Sequence, residues 1–144
     1  MDNKTVEERS QNMAKIRSTN TRPEIIVRKE LHRLGFRFRL HSKDLPGKPD
    51  LVFPKYKAVV FVNGCFWHGH EGCSRFVMPK SNQDYWVDKI KKNMKRDAEN
   101  RRKLNSAGWR TLIVWECSLK KKNYRETIGK ITEWLTSKRL DSSV

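Results

Sequence analysis

Residues Asn63 to Cys73 read NGCFWHGHEGC, crowding two of the chain's three cysteines, two of its four histidines, two large aromatics and three glycines into eleven positions. Neither a regular helix nor a strand favours that mixture. Glycine weakens both, and thiols beside an imidazole carry the ligand chemistry of a zinc site. The segment reads as a built loop. Phe66 and Trp67, set between Gly64 and Gly69, make a poor core element, and His68 stands two residues from His70, where it is available for proton transfer.

The remote Cys117 completes an inventory of three cysteines and one histidine, so Cys65, His70, Cys73 and Cys117 can close a four-ligand structural zinc site. Their C-x4-H-x2-C spacing with a distant fourth ligand matches no familiar finger. The alternative is that three reduced cysteines serve as small buried hydrophobes. A Cys65–Cys73 disulfide would leave Cys117 odd, and Met1 to Ser10 is polar and mixed in charge, unlike a signal peptide. A reducing cytoplasm is the expected compartment.

Lysine and arginine outnumber aspartate and glutamate by 32 to 16, a formal charge of +16 on 144 residues. Each phosphate neutralised by such a side chain releases a counterion, so the excess implies strong, salt-sensitive affinity for a polyanion. Balanced charges would solubilise the surface equally well. DNA or RNA is therefore the expected partner, with an anionic membrane surface as the remaining alternative. No apolar run approaches the roughly 20 residues of a membrane span.

The length suits one domain over 1–144, read as a basic arm with a helical piece over 1–20, a core over 21–138 and a frayed tail over 139–144. Thr21 can cap a helix, with Pro23 in its first turn and Glu24 at the capping-box position; Ile25, Ile26, Leu31 and Leu34 form its apolar stripe, and Gly35 ends it. Phe36 to Leu40 alternates like a half-buried strand. Asp50 to Phe53 and Ala58 to Val62 read as two further strands joined by a turn-like link over 54–57, the second apolar on both faces and hence central. A long basic helix from Asn82 to Gly108 turns Val87, Ile90 and Met94 inward, Trp109 to Trp115 is a buried strand, and a last helix from about Tyr124 to Lys138 buries Ile128, Ile131 and Leu135. The expected class is α/β, a mixed central sheet flanked by helices.

Asp50 closes the segment PGKPD from Pro46 and opens a strand whose hairpin partner runs into Asn63, so carboxylate and histidine loop meet. An aspartate after proline is by itself only a turn former. Beside Glu24 and a polyanionic partner it suggests a hard-cation site, because Mg²⁺ takes one or two carboxylates together with phosphate oxygens. Glu24 is equally accounted for as a capping residue that needs no metal.

The chain resembles the very short patch repair endonucleases, the Vsr family of bacterial T·G mismatch nicking enzymes, within the wider type II restriction endonuclease fold. The resemblance runs through Arg9 to Met13 with Ile16, Pro46 to Asp50, Gly64 to His68, Tyr85 and Trp86 with Lys89, Ile90 and Asn93, Gly108 to Arg110, and Ile113 to Cys117. It implies that Asp50 ligates catalytic Mg²⁺, that Glu24 supports its water shell, that His68 is the general base and that Cys65, His70, Cys73 and Cys117 hold structural Zn²⁺. It also implies that Phe66, Trp67 and Trp86 enter the DNA stack beside the mismatch, that Met13 wedges from the arm, and that Lys89 and Asn93 face the mismatched pair. The core remains the alternative setting for Phe66, Trp67 and Trp86.

Two departures bear on this. The wider fold carries an acidic-x-Lys triplet where this chain has Phe61, Val62 and Asn63; in Vsr enzymes a backbone carbonyl replaces the missing carboxylate, which Val62 can supply. Many family members place histidine at the position of Asn63, which can hold a water or phosphate but cannot shuttle a proton. Asp97 can orient a site histidine or simply be a solvated helix residue. The expected function is a monomeric Mg²⁺-dependent endonuclease that cuts one phosphodiester 5′ of the mismatched thymine in duplex DNA. A mismatch-independent nuclease of the same fold and a catalytically silent, zinc-stabilised DNA-binding module are the alternatives.

Overall fold

A computed structural model of the protein describes residues 20–144; the N-terminal arm and Met13 lie outside the described residues. The elements run α1 (Arg22–Arg33), β1 (Arg39–Leu40), β2 (Leu51–Phe53), β3 (Ala58–Asn63), α2 (Gln83–Ser106), β4 (Arg110–Trp115), α3 (Tyr124–Thr136) and β5 (Asp141–Ser143). The five strands form one sheet in that order. β1, β2 and β3 are antiparallel neighbours, whereas β3–β4 and β4–β5 are parallel. Parallel neighbours need a crossover, and α2 and α3 supply the two. The class is mixed α/β, with β3 central as its two-sided apolar sequence predicts. Among the described residues no helix is long and apolar enough to cross a membrane.

Alternation along the strands divides the core in two. Leu51, Phe53, Ala58, Val60, Leu112 and Val114 pack under α1 and α3, against Val27, Leu31, Ile128, Ile131 and Leu135. Val52 and Val59 point the other way and meet Leu104 of α2. Each fully buried aliphatic side chain contributes on the order of 1.5–3 kcal/mol, so both faces of β3 are anchored. At the end of α2, Gly108 adopts φ 89, and the amide of Trp109 bonds the carbonyl of Leu104 at 2.9 Å while that of Gly108 bonds Asn105 at 3.0 Å. This is the glycine-closed helix end that also sets Trp109 against Leu104.

Four expectations change. The buried face of α1 is Glu24, Val27 and Leu31, and Leu34 is 48% exposed. The helix is thus rotated so that the Glu24 carboxylate, rather than Leu34, faces inward. The strand expected over Phe36 to Leu40 shrinks to two residues, because the amide of Phe36 still bonds Leu31 at the helix end. Phe36 and Phe38 pack against Phe53 from irregular backbone. On α2 the buried residues are Trp86, Ile90, Asn93 and Leu104, with Val87 and Met94 only half-buried. The tail does not fray: β5 pairs with β4, and Asp141 accepts bonds from the Thr111 hydroxyl at 2.5 Å and the Asn105 amide at 2.9 Å.

Candidate active site and zinc-ligand cluster

Asp50 immediately precedes Leu51, so the two-residue period puts it on the α2 side of the sheet with Val52. Its Oδ2 accepts the Val62 N–H at 2.6 Å, fixing the carboxylate against β3. A cavity of about 500 Å³ opens here, bounded by Asp50, Asn63 and His68 on one side and by Arg96, Asp97 and Arg101 on the other. The hairpin does bring the carboxylate and the histidine loop together.

α2 is built for this position. Trp86, Ile90, Asn93, Asp97, Asn100 and Leu104 succeed one another in steps of four and three, so they share one helix face. That stripe is apolar at both ends and polar between them. Its ends pack on the histidine loop and on the sheet, and Asp97, Asn100 and Arg101 line the cavity in the middle. Asp97 Oδ2 accepts a short hydrogen bond from His68 Nδ1. A carboxylate oxygen accepts, so Nδ1 is the donor of this pair, and in the neutral ring the lone pair is then on Nε2. Among the two readings of Asp97, the geometry is that of a histidine-orienting residue.

Glu24 is 2% exposed. Its Oε2 accepts the Asn20 N–H at 3.1 Å and lies 2.7 Å from His41 Nε2, with Arg28 Nη1 at 3.9 Å. Thr21 caps α1 by accepting the Glu24 N–H at 3.4 Å, but the Glu24 carboxylate reaches Asn20. Capping and metal chemistry are therefore compatible here: Glu24, His41 and Asp50 each offer a ligand atom within 4.8 Å of the other two. His41 carried no signal in the sequence, being a lone histidine in a basic stretch. Arg96 and Arg101 were likewise hidden among many surface cations; only the helix face they occupy marks them. Asn63, 6% exposed, ends β3 at the cavity wall.

Cys65, His70, Cys73 and Cys117 place their ligand atoms within 4.8 Å of one another. A tetrahedral zinc ion needs neighbouring ligands about 3.5–3.8 Å apart, so the set fits that ion. Burial pushes the Cys65 thiol up to about 12 and also raises that of Cys117, whereas the backbone N–H of Arg75 lowers that of Cys73. The His70 ring stacks on Trp115 at 4.0 Å and 3°. Glu116 accepts the Cys65 N–H at 3.0 Å, holding the first thiol to the chain that carries the last.

The aromatics do not project. Trp67 and Trp86 are 6% and 1% exposed and form a satellite core with Ile90, flanked by half-buried Phe66, Phe76 and Met94. Phe66, Trp67 and Trp86 contact one another edge to face at 5.6–5.8 Å. Flanking glycines exclude a regular strand but not burial, because α2 supplies the opposing wall. Asn93, 7% exposed, donates to the Trp67 carbonyl at 3.0 Å and accepts from Arg96 at 3.0 Å, and Lys89 lies 5.8 Å from the Trp67 ring centre. Both residues support the aromatic cluster from α2.

Comparison with known proteins shows the family. The sequence profile of the DNA mismatch endonuclease Vsr family matches residues 1–75. A type II nicking enzyme of Xanthomonas oryzae pv. oryzae, V.XorIIP, is 52% identical over 118 residues, 82% of this chain and 86% of that protein. The type II nicking enzyme V.NmeAIP of Neisseria meningitidis is 50% identical over 118 residues, covering 82% and 84%. The DNA mismatch endonuclease Vsr of Escherichia coli is 38% identical over 133 residues, 92% of this chain and 81% of that protein. The chain belongs to the Vsr family of DNA mismatch endonucleases, DNA-cleaving hydrolases of restriction-endonuclease-like fold.

Proposed function

We propose that this protein nicks duplex DNA at a T·G mismatch, hydrolysing the phosphodiester 5′ of the mismatched thymine, as a monomer in the bacterial cytoplasm. The observation that carries the reading is the convergence of Asp50, His68 and Asp97 on one cavity whose far wall holds Arg96 and Arg101. Carboxylate, base and phosphate-binding cations are the parts phosphodiester hydrolysis requires. In this reading Asp50 and the Val62 carbonyl hold Mg²⁺, and Glu24 acts on its water shell. The N–H and C=O of one strand residue point the same way, and the Val62 N–H meets Asp50, which supports the carbonyl's role. When bound, Mg²⁺ supplies Lewis-acid activation of the phosphate and of water.

His68, held through Nδ1 by Asp97, takes the proton of the attacking water on Nε2. Arg96 and Arg101 balance charge on the phosphate, and Asn63 positions water or phosphate at the end of β3. Cys65, His70, Cys73 and Cys117 hold Zn²⁺ as a structural ion, fixing the loop that presents His68. Phe66, Trp67 and Trp86 read the mismatch by entering the stack, which requires their cluster to open on DNA. Wedging costs a few kcal/mol per base step and less where pairing is poor, so deformability favours the mismatch.

The near-complete burial of Trp67 and Trp86 favours a second reading, a nuclease of the same chemistry that ignores mismatches. A nicking assay on T·G and T·A duplexes of one sequence separates them. Preference for T·G supports the first reading, and equal cleavage supports the second.

A further inference from the structure

Glu24 and Asp50 come from different elements, and one residue ties them together. His41 donates its backbone N–H to the Asp50 carbonyl at 3.1 Å, and its ring Nε2 meets Glu24 Oε2 at 2.7 Å. A carboxylate accepts, so the proton lies on Nε2. His41 sits at φ 46, and Asn20, whose N–H reaches the same Oε2, sits at φ 54. Left-handed backbone is uncommon outside glycine and gathers at functional sites. Two such residues here deliver donors onto a single carboxylate oxygen. A glutamate that only caps its helix needs no such clamp from 17 residues away.

We infer that His41 is a positioning residue of the divalent-ion site: it locks the buried Glu24 carboxylate in register with Asp50, so that both act on one ion. This rests on the reading of Asp50 as an ion ligand and of Glu24 as a carboxylate acting on the ion's water shell. Residues that orient metal-site carboxylates typically change ion affinity by about 10–100-fold when removed. The chemistry demands a donor at the position of Nε2, not a charge.

The test uses His41→Asn, which tolerates the left-handed backbone but retracts the donor, and His41→Gln, which can extend an amide N–H toward Glu24. Mn²⁺ binding to the purified protein is measured from the spin-resonance signal of the free ion, beside melting temperature without added ion and nicking against Mg²⁺ concentration. His41→Asn should weaken Mn²⁺ binding about 10-fold or more and shift the half-maximal Mg²⁺ concentration by a like factor, with a smaller loss of rate at saturation. His41→Gln should restore most of the affinity. A purely structural histidine would instead lower the melting temperature of both variants and leave ion affinity intact, which overturns the inference. Asp50→Ala serves as the reference. If it loses Mn²⁺ while His41→Asn keeps it, the role of His41 is refuted and the ion site stands; if Asp50→Ala also keeps it, the ion-site reading fails and this inference with it.

Discussion

His68 and Asp97, 29 residues apart, meet because the histidine loop packs along the N-terminal half of α2 as far as the point where the helix face changes from apolar to polar. The contact fixes which imidazole nitrogen carries the proton. His68→Ala should lower the nicking rate about 10²- to 10⁴-fold, the usual span for a lost general base. Asp97→Asn keeps the shape but can offer the wrong hydrogen-bond partner, and should cost about 10- to 100-fold with DNA affinity unchanged. Single-turnover rates and binding isotherms check both. A wild-type rate in either variant removes that residue from the mechanism.

The zinc prediction is one tightly held ion per chain, lost together with the fold rather than with catalysis alone. Binding must displace protons from thiols that burial holds in the neutral form at Cys65 and Cys117, so zinc retention should weaken as pH falls. Cys117→Ser removes the ligand just beyond β4, and thermal melting should show cooperative destabilisation of the whole domain. A zinc-free preparation that melts and nicks like wild type would contradict the assignment.

Asn63 is buried at the end of β3 and borders the cavity, yet it cannot take a proton. Asn63→Ala should therefore reduce the rate less than Asp50→Ala, and Asn63→His should be tolerated. The comparison is made at saturating Mg²⁺, and a loss for Asn63→Ala as deep as that for Asp50→Ala would make Asn63 a principal catalytic group instead.

Trp67 and Trp86 are packed, so mismatch reading demands a conformational change that can be watched. On T·G duplexes the emission of a fluorescent base analogue beside the mismatch should rise as the base unstacks. Trp67→Ala should reduce T·G nicking far more than it reduces salt-dependent binding to matched DNA, where lysine and arginine contacts dominate. A silent probe with normal nicking would leave the aromatics as a core cluster only.

What could be read in the sequence follows physical signal. The stripe of Ile128, Ile131 and Leu135 is a strong periodic pattern and the strand over 58–62 an unbroken apolar run, and both are in place. The clustering of Cys65, His70, Cys73 and Cys117 was legible because three cysteines and a nearby histidine leave few other combinations. β5 was not, since Asp141 to Ser143 has no apolar alternation and is held by ladder pairing and the Asp141 carboxylate. The clamp on Glu24 depends on tertiary proximity of Asn20 and His41. The burial of Trp67 depends on α2, a partner that local composition cannot reveal.

Metal-dependent cleavage directed by a mismatch is tested by single-turnover nicking of paired T·G and T·A duplexes, with and without Mg²⁺, by wild type and by Asp50→Ala. Wild type should cut only the thymine strand of the T·G duplex, 5′ of the mismatched base and only with Mg²⁺, while Asp50→Ala binds both duplexes and cuts neither. Equal cutting of the two duplexes, or undiminished cutting by Asp50→Ala, would contradict the account.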